Sequence, residues 1–466
     1  MKKILLINPS FKGVYGGTNL ENVVLQTPPI GLACIAGSLL RENHDVRIID
    51  FNLSTNDKDK LVRELKEFNP DFVGITIVTP LVSEAESIGK IIKETNNQIV
   101  VIGGGAHCSS FPEASLKEMS LDIVVVGEGD YTILEIVNGR KFSEIKGIAY
   151  KDKNKNIFIN ERRELIKNLD DLPMPAFHIF EINNYKTPLI IARENPVTWF
   201  ETSRGCPYGC IYCNKSVFGP TFRAKSPERV VAEFIRLKDL GFKELHLADD
   251  NFTFDIKRAK RICDLLIEKK VNIIWGAMNG IRVDKADLEL LKKMKQAGCY
   301  RIHLGIESGN QKILNGIKKG TTIEQIVRTV KYAKEAGLEI GGYFMIGLPG
   351  ETEETMQDTI NLAKFLKLDL NKISITIPLP STELFKKLDE KKLIKTYDWD
   401  AFKIYSLPSR IYDHENLPWE TIEKYSKKFY RTVYLNPRFI LKRIKRAIKY
   451  KTLKDDIKAA FSIKWI

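Results

Sequence analysis

The chain has 466 residues, 43% hydrophobic and 28% charged, so wholesale disorder is excluded and, at roughly 150 residues per domain, two to four domains are expected. No apolar run approaches the roughly 18–20 residues of a membrane-spanning helix. The segment Met1–Pro9 is too short for a signal peptide, so we expect a protein of the reducing cytoplasm.

The net charge of +14 would suit a partner that is a nucleic acid, a membrane surface or an anionic substrate. Residues 431–466 hold eleven Lys and Arg but two acids, so nine of these charges belong to the tail.

Strand and helix patterns alternate along residues 1–140, which we treat as a first domain. Strands are predicted over Lys3–Asn8, Asp45–Asp50, Asp71–Thr76, Ile99–Gly104 and Asp122–Val126, and helices over Pro29–Asn43, Asp57–Phe68, Glu84–Thr95 and from Asp130. This alternation predicts an α/β, Rossmann-like, doubly wound parallel sheet whose ligand lies at the carboxyl ends of the strands. No GxGxxG follows the first strand, which disfavours a nicotinamide or flavin dinucleotide.

The rest of the chain divides into a connector (141–195), a second strand–helix region (196–385) and a helical end with a basic tail (386–466). A hairpin is expected in the connector over Gly147–Tyr150 and Asn156–Asn160. Barrel strands are predicted over Thr198–Thr202, Glu244–Asp249, Ile273–Ala277, Tyr300–Gly305, Glu339–Ile346 and Lys372–Ile377. Six such units predict a partial (β/α)6 barrel of the TIM type, with its site at the carboxyl ends of the strands.

Three of the seven cysteines, Cys206, Cys210 and Cys213, form a CxxxCxxC motif after the first barrel strand. Three thiolates on one loop can ligate three irons of a four-iron cluster and leave the fourth iron open. A structural zinc site would need a fourth ligand, and no second knuckle stands at suitable spacing. Cys34, Cys108, Cys263 and Cys299 are interpreted as small buried residues.

The run Ser203–Cys213 resembles the signature of radical S-adenosylmethionine (SAM) enzymes. The resemblance implies that the three cysteines hold a catalytic 4Fe–4S cluster. It also implies SAM contacts at successive strand ends: Tyr212, Asp249, Asp250, Arg282, Glu307, Ser308, Ile346 and Gly347. Plainer alternatives are that Asp249 and Asp250 cap the helix that follows, that Glu307 is a surface acid, and that Gly347–Gly350 forms only a turn.

The first domain is similar to the cobalamin-binding domain of one large class of radical SAM proteins. The matching segments are Pro28–Leu32, His44–Asp50, Gly103–His107 and Val126–Asp130. The resemblance implies cobalamin contacts at Thr76, Thr79, Gly103, Gly104, Gly105, His107, Gly127 and Glu128. The DxHxxG motif that supplies a histidine to cobalt is absent after the first strand, so we expect cobalamin without a protein histidine ligand. His44 is expected to be structural, whereas His246 and His303 are expected inside the barrel.

The family resemblance implies reductive cleavage of SAM to a 5′-deoxyadenosyl radical, hydrogen abstraction and methyl transfer to an unactivated carbon of a small molecule or lipid. An electron donor such as ferredoxin or flavodoxin is implied as a partner. Ring closure or oxidation of a tetrapyrrole or lipid is one alternative, and a non-catalytic cobalamin or cluster sensor is another. A methylthiotransferase is disfavoured because the first domain has two cysteines, Cys34 and Cys108, rather than the three that a second cluster needs.

Residues 439–448 read as a basic amphipathic helix. Such a helix could lie on an anionic membrane as a peripheral contact, or pack on the barrel with a solvated basic face. Nucleic acid is not an expected partner, since the charge lies outside the predicted catalytic body.

Overall fold

The computed structural model describes residues 1–15, 26–53, 57–189, 191–402, 408–450, 452, 453 and 457. Four lysines of the basic tail, Lys451, Lys454, Lys458 and Lys464, lie outside the described residues. No helix among the described residues has the length and apolar character needed to cross a bilayer.

The front region is a seven-stranded sheet of order β2-β1-β3-β4-β5-β6-β7. Its strands are β1 (Lys3–Asn8), β2 (Asp45–Asp50), β3 (Phe72–Thr76), β4 (Val100–Gly104), β5 (Ile123–Val125), β6 (Ile148–Lys151) and β7 (Ile157–Ile159). Its helices are α1 (Ile30–Arg41), α2 (Lys58–Phe68), α3 (Val82–Thr95), α4 (Ala106–Ser110), α5 (Pro112–Glu118) and α6 (Thr132–Val137). The first five strands are parallel, and the predicted hairpin β6–β7 adds two antiparallel strands to the same sheet.

Both faces of this sheet are covered, as the near-continuous apolar strand β1 requires. Leu5 and Ile7 of β1 pack in one core cluster with residues of α2 and α3, whereas Ile4 and Leu6 pack in another with residues of α1 and α6. The predicted doubly wound fold is therefore confirmed.

The second region is an open sheet of six parallel strands, in the order β8-β11-β12-β13-β14-β15. Its strands, with the short antiparallel pair β9–β10, are β8 (Val197–Phe200), β9 (Ser203–Arg204), β10 (Arg223–Ala224), β11 (Glu244–Leu247), β12 (Ile274–Ile281), β13 (Cys299–Glu307), β14 (Glu339–Ile346) and β15 (Leu370–Ile375). Its helices are α7 (Pro227–Asp239), α8 (Ile256–Glu268), α9 (Leu288–Gln296), α10 (Gln311–Gly316), α11 (Ile323–Glu335) and α12 (Glu353–Leu366). The helices α13 (Glu383–Glu390), α14 (Trp419–Tyr434) and α15 (Pro437–Lys449) follow. The partial barrel and the helical end are as predicted.

Strand β12 runs to Ile281, four residues beyond the predicted end at Ala277. Its register with β13 shifts between Ala277 and Ile281. Such an irregularity carries extra residues, here including Asn279 and Gly280, and so interrupts the apolar pattern that marks a strand in the sequence.

A partly buried ionic cluster, the ionic floor, lies at the amino end of the barrel. Glu339, the first residue of β14, accepts hydrogen bonds from the guanidinium groups of Arg193 at 2.8 Å, Arg301 at 2.8 Å and Arg446 at 3.1 Å. Burial alone would raise the pKa of Glu339, but these positive charges outweigh it and hold the pKa at about 2. Beside them, the Glu244 carboxylate contacts the ring of His246 and accepts from Tyr300, both at 2.6 Å.

Candidate active site

The three cysteines lie on the loop that follows β9 at the carboxyl end of the barrel, as the motif predicts. All three are free thiols; Cys206 and Cys210 are half-buried and Cys213 is exposed. Burial raises the pKa of Cys206, and burial together with the charge of Cys210 raises the pKa of Cys213 to about 11. Metal binding to this loop therefore displaces protons from the thiols.

The loop is held by the ends of the neighbouring strands. Asp250, after β11, accepts a hydrogen bond from the Gly205 backbone N–H at 3.0 Å, directly before the first cysteine. The guanidinium of Arg282, after β12, stacks on the Tyr208 ring at 3.4 Å. These contacts come from two strands distant in sequence, so the barrel itself fixes the position of the loop.

Asp249, the neighbouring predicted SAM contact, lies buried among hydrogen-bond donors from the end of β8 and the start of β9. Its buried carboxylate accepts hydrogen bonds from the Thr202 N–H at 2.6 Å, the Thr202 hydroxyl at 2.5 Å and the Ser203 hydroxyl at 2.6 Å. Burial raises its pKa, although these bonds and the charge of Arg258 oppose the change. Asp249 thus ties the end of β8 to β11 rather than facing an open site.

Arg282 and Ser308 are engaged in the same way. Arg282 donates to the backbone carbonyls of Lys319 and Gly320 and pairs with Asp284 at 2.9 Å. Its guanidinium group is therefore already hydrogen-bonded within the barrel. Buried Ser308 contacts the Thr359 hydroxyl at 3.3 Å and accepts from the Asn310 N–H.

Glu307, at the end of β13, takes part in a buried cluster beside the cysteine loop. Its carboxylate pairs with the Lys319 ammonium at 2.7 Å, and that ammonium lies 3.5 Å from the Tyr212 hydroxyl. Burial would lower the pKa of Lys319, but the negative charges of Glu307 and Cys210 outweigh it and raise the pKa. Glu307 has a left-handed backbone, φ 63°, a strained conformation for a glutamate that is characteristic of functional sites.

The segment after β14 forms a tight turn. Ile346 is buried, and the Gly347 and Leu348 N–H groups donate to Glu351 Oε2 at 2.6 and 3.0 Å. The other carboxylate oxygen of Glu351 is buried without a hydrogen-bond partner, and burial raises the pKa of this side chain to about 7. The turn thereby keeps a fixed shape at the predicted SAM contacts Ile346 and Gly347.

The cysteine loop carries the donor set of an iron–sulfur cluster. Among the described residues, no three His, Cys, Asp or Glu side chains converge as ligands of one ion. A four-iron cluster takes one thiolate per iron, so its ligands need not converge on a point. Three thiols on one loop are the donor set that such a cluster needs when one iron stays open.

A cavity of about 270 Å³ lies between the carboxyl ends of the front sheet and those of the barrel. The front region contributes Gly31, Gly104 and Gly127 to its wall, and the barrel contributes Glu201 and Ala248. A Cβ added at Gly31 would meet nothing within 4 Å, and one at Gly104 or Gly127 would meet single atoms at 4.0 or 3.7 Å. This part of the wall is open because it lacks side chains, which suits a large flat ligand.

Five of the eight predicted cobalamin contacts line this cavity: Thr76, Gly104, Gly105, Gly127 and Glu128. Thr79, Gly103 and His107 do not. A Cβ on Gly103 would strike Leu121 at 2.6 Å, so that residue faces the core. His107 is buried against Trp399 at 5.1 Å between ring centroids, and burial lowers its pKa to about 4. None of the described lining residues is a histidine.

Glu128, a predicted cobalamin contact, also belongs to a buried network of ion pairs. Its carboxylate pairs with Arg204 at 3.0 Å and Arg223 at 2.8 Å, and Asp130 pairs with Arg204 at 2.8 Å. All four side chains are buried. This network, the interdomain tie, joins the front loop after β5 to the strands that flank the cysteine loop.

The remaining histidines lie largely where the sequence places them. His44 accepts from the Lys2 N–H and is structural. His246 packs on Trp199 and pairs with Glu244, whereas both ring nitrogens of His303 are buried without partners beside Tyr343. His303 is therefore an uncharged group of the barrel interior, its pKa lowered to about 3, first by burial and then by the charge of Arg301.

Two residues of this region, Arg204 and Lys319, have no assigned role in the sequence analysis, and a third, Cys34, has a place beyond the one assigned to it. Cys34 lines the cavity instead of only filling a core. Arg204 stands two residues before the first cysteine, and besides nearby Glu201 its partners Glu128 and Asp130 lie more than seventy residues away in the chain. Lys319 belongs to a Lys-Lys-Gly run whose second lysine turns inward, which no local pattern indicates.

Two family models match the chain. The Radical SAM superfamily model matches residues 200–363, and the B12 binding domain model matches residues 16–137. The first match covers most of the partial barrel with its cysteine loop, and the second covers β2 to β5 of the front sheet with the wall glycines.

Curated relatives resemble nearly the whole chain. An uncharacterized methyltransferase of Pyrococcus horikoshii is 35% identical over 95% of this chain and 94% of its own length. The cytidylyl-2-hydroxyethylphosphonate methyltransferase of Streptomyces wedmorensis is 30% identical over 83% and 81%. The anaerobic magnesium-protoporphyrin IX monomethyl ester cyclase of Rubrivivax gelatinosus is 28% identical over 99% and 84%.

Solved structures share the fold at lower identity. The cobalamin-dependent SAM radical enzyme OxsB, with aqua-cobalamin and SAM bound, superposes with a TM-score of 0.74 at 18% identity, over 98% of this chain and 72% of that one. The radical SAM methyltransferase TsrM from Kitasatospora setae, with cobalamin and a 4Fe–4S cluster bound, gives 0.69 at 20% identity, over 84% and 75%. With its two matched domains and its methyltransferase relatives, the chain belongs to the cobalamin-dependent radical SAM enzymes.

Proposed function

We propose that this enzyme transfers a methyl group to an unactivated carbon of a small molecule or lipid. The observation that carries the proposal is the shared cavity, which is walled by the front sheet on one side and by Glu201, Arg204 and Ala248 of the barrel on the other. A cofactor held by the front wall therefore adjoins the end of the barrel that carries the cysteine loop.

The family brings three cofactors: when bound, the cluster and SAM supply a 5′-deoxyadenosyl radical, and cobalamin supplies the methyl group. Cys206, Cys210 and Cys213 would hold the cluster. Asp250 and Arg282 keep their loop in place through Gly205 and Tyr208. In this proposal they are positioning residues for the cluster and not direct ligands of SAM.

The polar groups for SAM come from the buried cluster of Glu307, Lys319 and Tyr212, together with the turn at Ile346 and Gly347. Glu307 and Lys319 offer opposite charges beside Cys210, which suits a zwitterionic amino acid end. The turn offers backbone and apolar contacts, which suit an aromatic base. The interdomain tie keeps the front region over the barrel mouth, where it excludes water from a reactive radical.

Ring closure on a tetrapyrrole is the second candidate, favoured by the likeness to the Rubrivivax cyclase. Two of the three relatives described above are named methyltransferases, and this supports methyl transfer as the first candidate. Either reaction needs a reductant, and we propose a ferredoxin or flavodoxin for that role.

The decisive experiment is anaerobic reconstitution of the full chain with iron, sulfide and cobalamin, followed by SAM and a strong reductant. We expect the absorption of a four-iron cluster, retention of cobalamin and formation of 5′-deoxyadenosine. Cys206→Ala should lose cluster and SAM cleavage completely. Cys263→Ala is the matched control, because that cysteine is buried in α8 away from the loop and should leave both unchanged.

Two outcomes would contradict the proposal at different levels. A wild-type protein that carries the cluster and yields no 5′-deoxyadenosine would refute the radical step. A protein that cleaves SAM and retains no cobalamin would refute methyl transfer through the front domain and leave SAM cleavage intact.

A further inference from the structure

The outer face of helix α15 is apolar and points to solvent. Ile440, Leu441, Ile444 and Ile448 recur at helical spacing, and Leu441 and Ile448 are 59% and 65% exposed. Ala447 is the one residue of α15 classed as buried. A stripe of four aliphatic side chains on an exposed helix face marks a docking surface.

The orientation of α15 is fixed by two ionic contacts with the barrel. Arg446 pairs with Glu339 of the floor at 3.1 Å, and Lys442 pairs with Asp369 at 2.7 Å. Glu339 begins β14 and Asp369 immediately precedes β15. The helix is therefore clamped across the amino end of the barrel with its apolar stripe turned outward.

A row of positive charges runs along one flank of that stripe. Arg438, Lys442, Lys445 and Lys449 stand at spacings of four, three and four residues, which places them on one side of the helix. Helix α15 contains no Asp or Glu. An apolar stripe with a cationic flank is the pattern of helices that lie in the headgroup region of a bilayer.

A groove of about 690 Å³ beside α15 extends this surface. Its lining includes Lys334, Lys364 and Lys367 from the ends of α11 and α12, and the side chain of Phe365 at its edge is 64% exposed. Burial and the nearby charge of Lys442 lower the pKa of Lys334, so this surface already crowds positive charge. An anionic headgroup would relieve that crowding.

We propose that the α15 face, comprising the apolar stripe, its cationic flank and the adjoining groove, binds the surface of an anionic lipid bilayer. A second copy of the chain fits less well, because a symmetric contact through this face would set one cationic row near another. The proposal is independent of the catalytic activity, since none of its residues lies at the cysteine loop or the shared cavity.

The position of the α15 face has a consequence for orientation. The face lies at the amino ends of the barrel strands, whereas the cysteine loop lies at their carboxyl ends. Attachment therefore turns the barrel mouth away from the lipid surface. Membrane binding then holds the enzyme at the membrane and does not by itself deliver a lipid substrate to the barrel mouth.

Vesicle binding of the full chain tests the proposal. We expect the wild type to cosediment with vesicles of phosphatidylcholine and phosphatidylglycerol, and to bind pure phosphatidylcholine at least tenfold more weakly. Leu441→Glu/Ile448→Glu should bind anionic vesicles at least tenfold more weakly than wild type. Lys445→Gln/Lys449→Gln should lose roughly fivefold per charge, as expected for basic residues near an anionic surface.

Ile159→Glu is the matched control, since Ile159 is 53% exposed on β7 of the front sheet and should leave binding unchanged. Circular dichroism confirms that each variant is folded. Equal vesicle binding by wild type and Leu441→Glu/Ile448→Glu would overturn the proposal. The absence of wild-type vesicle binding would also overturn it. So would a wild-type dimer, detected by light scattering, that the double variant dissociates while vesicle binding stays unchanged.

Thiol labelling tests the orientation. In cluster-free protein, alkylation of exposed Cys213, followed by mass spectrometry, should proceed at the same rate, within twofold, with and without anionic vesicles. Strong protection of Cys213 by vesicles would place the mouth on the lipid and refute the proposed orientation.

Discussion

The front sheet and the barrel turn the same end of their strands toward the shared cavity, yet they build its two sides differently. On the front side, three glycines of the wall, Gly31, Gly104 and Gly127, lack Cβ atoms that would enter open space. On the barrel side, several side chains of the wall and around the cysteine loop are ionised or hydrogen-bonded to partners from other segments of the chain. One side makes room for a ligand, and the other fixes charges around one.

This difference predicts how the two sides fail. Removing one partner of an ion pair on the barrel side leaves a buried charge unpaired, which lowers the stability of the fold more than it lowers function. Adding a side chain on the front side fills space that the protein itself does not use, which costs ligand binding and little stability. The following substitutions test the contrast, from the largest expected effect to the smallest.

Arg204→Met should destabilise the protein most, because it leaves Glu128, Asp130 and Glu201 without their shared guanidinium. Breaking a buried pair in this way costs about 3–5 kcal/mol. Urea unfolding followed by circular dichroism measures the change. Arg140→Met, which removes an exposed pair with Glu135, is the control and should cost at most about 1 kcal/mol. Equal losses in the two variants would contradict the buried tie.

Glu351→Gln should remove a pH dependence of the free energy of unfolding that arises on the barrel side. The pKa of Glu351 is raised to about 7 in the folded protein, above its value of 4.5 in an unfolded chain. The unfolded state therefore releases its proton first, and the wild type loses stability as the pH rises from 4.5 to 7, then levels off. The loss is at most about 3 kcal/mol. Parallel urea midpoints for wild type and variant between pH 5 and pH 8 would refute this expectation.

Gly104→Leu should weaken cobalamin retention at least tenfold while SAM cleavage stays within twofold of wild type. The added side chain enters the open wall of the cavity and meets little protein, so the fold should persist. Anaerobic gel filtration with absorbance detection measures bound cobalamin. Gly316→Leu is the control, because a Cβ there also meets nothing and lies outside the cavity. Full retention by Gly104→Leu would place cobalamin elsewhere.

Lys319→Met should weaken SAM binding about tenfold and leave the iron content of the cluster unchanged. The substitution leaves the buried Glu307 carboxylate without its counterion and shifts the charge that faces Cys210. A charged hydrogen bond of about 1.5 kcal/mol corresponds to roughly this factor. Equilibrium dialysis gives the dissociation constant, and Lys319→Arg should recover part of the affinity. An unchanged constant would reduce Lys319 to a packing role.

Much of the fold could be predicted because each buried parallel strand is a short apolar run between helices of regular period. β8 begins one residue before its predicted start and ends two residues before its predicted end. The cysteine motif was equally visible, since its spacing is local. The bulged end of β12 was not, because its polar residues look like a loop when the neighbouring strand is unknown.

The partners of the site residues could not be predicted from local pattern. Asp249 and Asp250 are adjacent, yet one points inward to Thr202 and the other caps the Gly205 N–H. His107 follows a glycine-rich turn, as a ligand-facing residue would, but it packs on Trp399, which lies 292 residues away in the chain. Sequence shows which residues stand at a strand end, and long-range packing decides where each side chain turns.

The ionic floor around Glu339 has a kinetic consequence. Because three guanidinium groups pair with Glu339 at the amino end, we expect SAM, substrate and their products to share the carboxyl end of the barrel. A product lying deeper in the barrel leaves after the one nearer the mouth. Steady-state turnover should therefore follow an ordered release, with the deeper product as the stronger inhibitor and its departure contributing to the turnover rate.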